Sequence, residues 1–334
     1  MTSESYDFNG KKVLILGGLG FIGSNLAIRL AQEGAEVKLV DSMLEQYGGS
    51  LSNIAGFEDL IEVNYSDIRD THSLGYLVRG MDVIYSMAGQ TSHIESMHDP
   101  FTDLDINCTS QLSILECCRK FNPEVEILYA STRQIYGRPL YLPVDEKHPI
   151  RPADVNGINK YAAEMYFKLY HEVYGLKCTS LRLTNTYGPR QYVRDDKHGF
   201  VGIFIRLALA GQPIRIFGDG KQLRDFNYVE DVVEAFVAAT GNSQLHGGAY
   251  NLGHPDKHSL LEFVETLSEH ANFSYEIVPF PKDRKAIDIG DYYGSFELFS
   301  SLVDWAPKVS LEEGLCRTLE YFTDHSDMYL ASDG

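Results

Sequence analysis

The chain has 334 residues, enough for one large α/β domain or two lobes, and at 44% hydrophobic residues it can bury a sizeable core. Its 47 acidic residues against 29 basic ones leave a formal charge of -18, which repels phosphodiester backbones and anionic membrane surfaces. Neither nucleic acid nor membrane is therefore an expected partner, although a local basic cluster can still hold a small anion. The N-terminal "MTSESYDFNGKK" lacks the apolar run of a signal peptide, and nowhere do about 18 apolar residues run together, so a cytoplasmic protein is expected. The five cysteines are odd in number and form no CxxC pair, which points to reduced, buried thiols and to neither a disulfide framework nor a metal site.

From Lys12 onward, short apolar runs alternate with helical patterns: "KVLILGG", "FIGSNLAIRLAQEG", "AEVKLVD", then "DVIYSMAG" and "VEILYAST". Apolar runs of this length, bounded by Gly, Asp or Ser, predict buried parallel strands. The pattern predicts a Rossmann-type doubly wound parallel sheet with a smaller C-terminal α/β substrate lobe. The first helix carries Phe21, Ile22, Leu26, Ile28 and Leu30 along one broad side, and Gly34 supplies its stop. Further helices are predicted over about 101–121 and 157–174, followed by a polar loop, "YGPRQYVRDDKHGF", and the apolar helix "VGIFIRLALAG". The expected division is a Rossmann-type domain over 1–184, to which 225–253 returns, and a second lobe from 185–224 and 254–330.

"GGLGFIG" places Gly17, Gly20 and Gly23 directly after a strand and at the opening of a helix, with Phe21 and Ile22 between the last two. Such a turn bends tightly, lets the backbone approach a pyrophosphate, and points amide N–H groups and the helix dipole at the anion. Asp41 ends the second strand about twenty residues on, where a carboxylate can accept hydrogen bonds from ribose hydroxyls. No Arg follows it to hold a 2′-phosphate, so NAD is expected rather than NADP.

These residues resemble the extended short-chain dehydrogenase/reductase family, in its branch that modifies nucleotide-activated sugars. Besides "GGLGFIGSN", the matching pieces are "SDIRD", "MAGQTSH", "YASTRQIYG", "LRLTNTYGPRQ", "FGDGKQLRDFNYVEDVVEAF" and "YNLG", in the family's order over about residues 12–320. The resemblance implies bound NAD, a nucleoside diphosphate sugar as substrate, and a homodimer formed by two long helices. It implies Asp67 and Ile68 at the adenine, Ala88 and Gly89 along the dinucleotide, and Gln90, Asn185 and Arg224 at the substrate. A guanidinium suits bidentate phosphate binding, and Arg224 can alternatively pair with Asp225 or Asp231. Arg190 and Arg284 are further expected substrate contacts.

Enzymes of this branch oxidise a sugar hydroxyl to a ketone, which needs a base to take the hydroxyl proton. In the family a Tyr four residues before a Lys does this, beside a Ser or Thr at the end of the "YAST" strand. Here Thr132 and Lys160 match, but the tyrosine position is Asn156. A carboxamide can orient a substrate and cannot serve as general base. His93, at the carboxyl end of the fourth strand, and Tyr136 are the candidate replacements. Arg133 and Gln134 stand where the family's 4,6-dehydratases carry an Asp–Glu pair, so Arg133 can instead bind a substrate carboxylate, stabilise an enolate or form a surface salt bridge. The expected activity is epimerisation through a keto-sugar with a non-standard base; the alternatives are a dehydratase, decarboxylase or dehydrogenase, or a catalytically silent protein that binds NAD and a nucleotide sugar.

Overall fold

The computed structural model describes residues 6–195, 198–282, 285 and 288–330. Six strands, β1 (Lys12–Leu16), β2 (Glu36–Val40), β3 (Ile61–Asn64), β4 (Val83–Ser86), β5 (Glu126–Thr132) and β6 (Lys177–Leu183), join a last strand, Ala249–Asn251. The seven lie in one sheet in the order last strand, β6, β5, β4, β1, β2, β3, and every pairing is parallel. Val13 to Leu16 and all of β4 are buried, as strands covered on both faces must be.

One face is covered by the helix Phe21–Gln32 together with Val229–Ala239, whose Val229, Val232, Val233 and Phe236 share a core with Leu26, Ala27 and Leu30. The other is covered by Ser110–Phe121 and Val155–Tyr174, through Ile114, Leu115, Ala163 and Phe167. Val155–Tyr174 begins where the Asp154 carboxylate accepts the Gly157 N–H at 2.7 Å and stops at Gly175, which takes the left-handed φ of 72°. The predicted helix over 101–121 runs from Pro100 to Phe121 but contains a π-helical stretch, Asp105–Thr109. That stretch leaves Asn107 wholly buried and Ile106 against the main cleft.

Past β6 the chain builds a smaller unit from three two-stranded sheets and the helices Phe200–Leu209, Leu260–His270 and Leu311–Asp324. Its core gathers Phe204, Phe226, Phe263, Leu315 and Phe322. Among the described residues no helix is long and apolar enough to cross a membrane.

Candidate active site

A cleft of about 460 Å³ opens at the carboxyl ends of the central strands, the place where open α/β sheets bind ligands. At one end lies the glycine turn. A Cβ at Gly17 would meet the Ala88 backbone at 2.6 Å, and one at Gly23 would meet the Gly17 carbonyl at 2.3 Å, so only glycine permits these contacts. Gly20, Phe21, Ile22, Ala88 and Gly89 line the same channel. Asp41 sits at its side, its two oxygens accepting the N–H groups of Leu19 at 3.0 Å and Met43 at 2.9 Å. Burial pushes this carboxyl up, and those two hydrogen bonds work against the shift. Asp67 and Ile68 follow along the channel; Asp67 pairs with Arg69 at 2.6 Å, which holds its carboxyl below the usual range.

Lys160 is buried at the floor of the cleft, its Nζ donating to the Ala130 carbonyl at 3.1 Å. Burial pulls its ammonium down to about 8, while the Asp103 carboxylate works in the other direction. Around it lies a network the sequence did not reveal. Asp103, fully buried, accepts from the Asn156 amide at 3.1 Å and from the Asn159 amide at 2.8 Å. Asn156 also donates to the Gln90 carbonyl at 2.8 Å, so its NH2 is occupied and ties three chain segments together. Asn107 donates to that same Gln90 carbonyl at 2.9 Å, and its Oδ1 is a buried acceptor with no partner among the described residues. A Cβ built on Gly89 would lie 2.9 Å from Lys160 Nζ and 3.0 Å from Asn107 Oδ1, so both polar atoms edge the space beside the glycine. A narrow glycine-lined channel, a ribose-height carboxylate and an unmatched buried acceptor beside a lysine fit a dinucleotide.

Thr132 lines the cleft and caps the turn Arg133–Tyr136, its hydroxyl accepting the Gln134 N–H at 3.2 Å. His93 lies opposite in the chain but adjacent in space: its Nδ1 is 2.6 Å from Asp154 Oδ2, and its Nε2 meets the Gln134 side-chain amide. Burial raises the Asp154 carboxyl, but the His93 hydrogen bond and charge more than offset this and hold it below its ordinary value. An ionised Asp154 must accept, so Nδ1 carries a proton, and in the neutral ring Nε2 accepts from the Gln134 side-chain amide. Asp154, which the sequence did not single out, thereby orients His93.

Farther out, Asn185 and Arg224 line the cleft, with Asn185 donating to the Asp225 carbonyl at 2.9 Å. Arg224 pairs with neither Asp225 nor Asp231; it donates to the carbonyls of Leu223 at 2.8 Å and Gly290 at 2.5 Å, and its nearest carboxylate among the described residues is Asp288 at 3.8 Å. Burial pulls its guanidinium down to about 10. Arg133 and Gln90 line the cleft as well.

Two expected site residues are elsewhere. Tyr136 is fully buried behind the cleft, donating to Asn251 Oδ1 at 2.7 Å and accepting from Arg182 Nη1 at 2.6 Å. With its hydroxyl committed on both sides and outside the cleft lining, it does not reach a substrate, and burial pushes its phenol above the ordinary value. Arg190 does not reach the cleft: it donates to the Asn53 carbonyl at 2.9 Å and Asn25 Oδ1 at 3.0 Å and lies over the Tyr321 ring, acting as a strut. Arg284 lies outside the described residues. Gln191, Tyr192 and Phe200 reach the cleft from a segment read only as a polar loop and the helix after it.

The NAD dependent epimerase/dehydratase family matches residues 13–253. Among relatives, the UDP-glucose 4-epimerase of Mycolicibacterium smegmatis is 32% identical over 324 residues, covering 94% of this chain and 99% of that one. A UDP-glucuronic acid decarboxylase of Xenopus tropicalis is 30% identical over 323 residues, covering 93% of this chain and 72% of that one. The crystal structure of the Thermotoga maritima UDP-glucose 4-epimerase with UDP-glucose superposes with a TM-score of 0.86 at 30% identity, covering 94% of this chain and 99% of that one. With its glycine turn, parallel sheet and buried lysine, the chain belongs to the NAD-dependent epimerase/dehydratase family of enzymes.

Proposed function

We propose that the protein epimerises a nucleoside diphosphate sugar through a transient keto-sugar, with His93 as the base in place of a tyrosine. The observation that carries the reading is the single continuous cleft, with the glycine turn at one end, Arg224 at the other, and Thr132, Lys160 and His93 between them. NAD supplies the hydride acceptor, and later the donor, that the oxidation and its reversal require. The sugar hydroxyl replaces the Gln134 amide at His93 Nε2, which takes the hydroxyl proton, and Asp154 stabilises the imidazolium that results. Thr132 orients the hydroxyl, and the Lys160 ammonium holds the nicotinamide ribose while its charge stabilises the oxygen as it loses its proton. Asn156 cannot take that proton, and its committed NH2 makes it a brace between Gln90 and Asp103. Asn185 and Arg224 hold the sugar and diphosphate.

A homodimer belongs to the same reading. Phe101, Leu104, Ile158, Met165, Leu169 and Val173 are exposed on the two helical runs that the family uses for pairing, and a second copy would cover them. The five cysteines are free thiols, in keeping with the cytoplasm.

The test is to incubate the NAD-loaded protein with UDP-, GDP-, CDP- and dTDP-sugars and to identify products by NMR and mass spectrometry. Epimerised sugar supports the reading. A protein that binds nucleotide sugars, shows no NADH absorbance on adding them and turns over none of the panel is a silent binder, and the proposal fails.

A further inference from the structure

Arg133 is the least satisfied cation in the cleft. Of its N–H groups, only Nη2 has a partner among the described residues, Asn185 Oδ1 at 3.2 Å, and Nη1 is buried with none. Its guanidinium is held 4.8 Å from the centre of the Tyr292 ring, which fixes its plane. Among the described residues it makes no ion pair. Asp225, whose carboxylate attracts the Arg133 charge, is engaged by the Thr184 hydroxyl and by the Gly294 N–H at 2.9 Å. Asp154 is held by His93, and Asp288 stands beside Arg224. The second guanidinium of the cleft, Arg224, feels Arg133 as a like charge that adds to the effect of its own burial. A guanidinium with an unmatched buried donor and no ion pair among the described residues, in a cleft that also holds Arg224, makes a site for an anion.

Arg224 already accounts for a diphosphate. Arg133 directly follows Thr132, so what it meets belongs to the sugar, next to the carbons that react. We infer that the substrate is a nucleotide sugar whose ring bears a carboxylate, and that Arg133 selects it over the neutral hexose. A planar fork held by Tyr292 and Asn185 is suited to two parallel hydrogen bonds to a carboxylate. The inference rests on the nucleotide-sugar reading of the cleft and adds the charge of the sugar.

Calorimetric titration of the NAD-loaded protein with UDP, UDP-glucose and UDP-glucuronate, and with the dTDP, GDP and CDP counterparts, separates the two. For the nucleotide that binds, the uronate is expected to bind at least about tenfold more tightly than the neutral sugar, the strength of a charge-assisted contact. Arg133→Gln brings the two affinities to within about threefold of one another, and Arg133→Lys, which keeps the charge but not the fork, falls between. NAD content and melting temperature report whether each variant folds, and either variant alone decides the ratio. Equal wild-type affinities for the uronate and the neutral sugar overturn the inference. So does an Arg133→Gln effect that weakens the nucleoside diphosphate and both sugars by one common factor, because the arginine then meets the diphosphate. Failure to bind any nucleoside diphosphate overturns the reading of the cleft itself, and the inference with it.

Discussion

Replacing Lys160 with Met is expected to make the protein more stable and inactive. Lys160 is 6% exposed, and burial moves its ammonium from the ordinary 10.5 down to about 8. Each pH unit of that difference is worth about 1.4 kcal/mol, so keeping the charge buried costs the native state on the order of 3 kcal/mol at neutral pH. Methionine has a similar length and no charge; it gives up the hydrogen bond to the Ala130 carbonyl, worth about 1 kcal/mol. The net expectation is a gain of about 2 kcal/mol at pH 7. Between pH 8 and 10.5 the native wild type has released its lysine proton while the unfolded chain still holds one. Wild-type stability therefore rises with pH across that window, and the advantage of the variant falls to about zero near pH 10 and reverses above it, where only the lost hydrogen bond remains. Urea unfolding of both NAD-free proteins at pH 7 and again near pH 10 measures this, and other groups that titrate there cancel in the difference. A variant less stable than wild type at pH 7, or an advantage that does not change with pH, would refute the argument. NAD affinity should fall in the same variant, because the ribose contact is gone.

His93→Asn should lower turnover by about 10²- to 10⁴-fold, the usual worth of a positioned base, while the NAD content of the purified protein is kept; unchanged turnover means that the proton goes elsewhere. Gly23→Ala puts a Cβ 2.3 Å from the Gly17 carbonyl, a backbone atom that cannot swing aside. A loss of about 1–3 kcal/mol in unfolding free energy and loss of bound NAD are expected, and a variant that retains both is evidence against the cradle. Arg190→Ala removes the strut between Asn25, Asn53 and Tyr321. It should lower stability by about 1–2 kcal/mol and leave KM for the nucleotide sugar unchanged, whereas a raised KM would restore Arg190 to the substrate site.

Local features of this protein were readable from its chain because their causes are local. Three glycines between a buried strand and a helix admit few backbone paths, and the Gly17 and Gly23 contacts follow from that turn alone. Asp41 stands at the cleft because it ends the strand next to β1, and a strand end fixes where its last residue points. Lys160 likewise follows from its place on a helix covering the sheet. The sequence could also show that a tyrosine was missing at Asn156. It could not show what Asn156 does, because its partners Gln90 and Asp103 lie 66 and 53 residues away and meet it only through the order of the strands and the π-helical stretch. His93 and Asp154, 61 residues apart, became a pair by the same route. Tyr136 and Arg190 have the right chemistry for the roles expected of them, yet packing turned one behind the sheet end and the other toward Tyr321. Residue type and spacing thus determine which groups are present. Which of them face the cleft, and which of those are left without a partner, depends on contacts between distant segments that only the folded sheet creates.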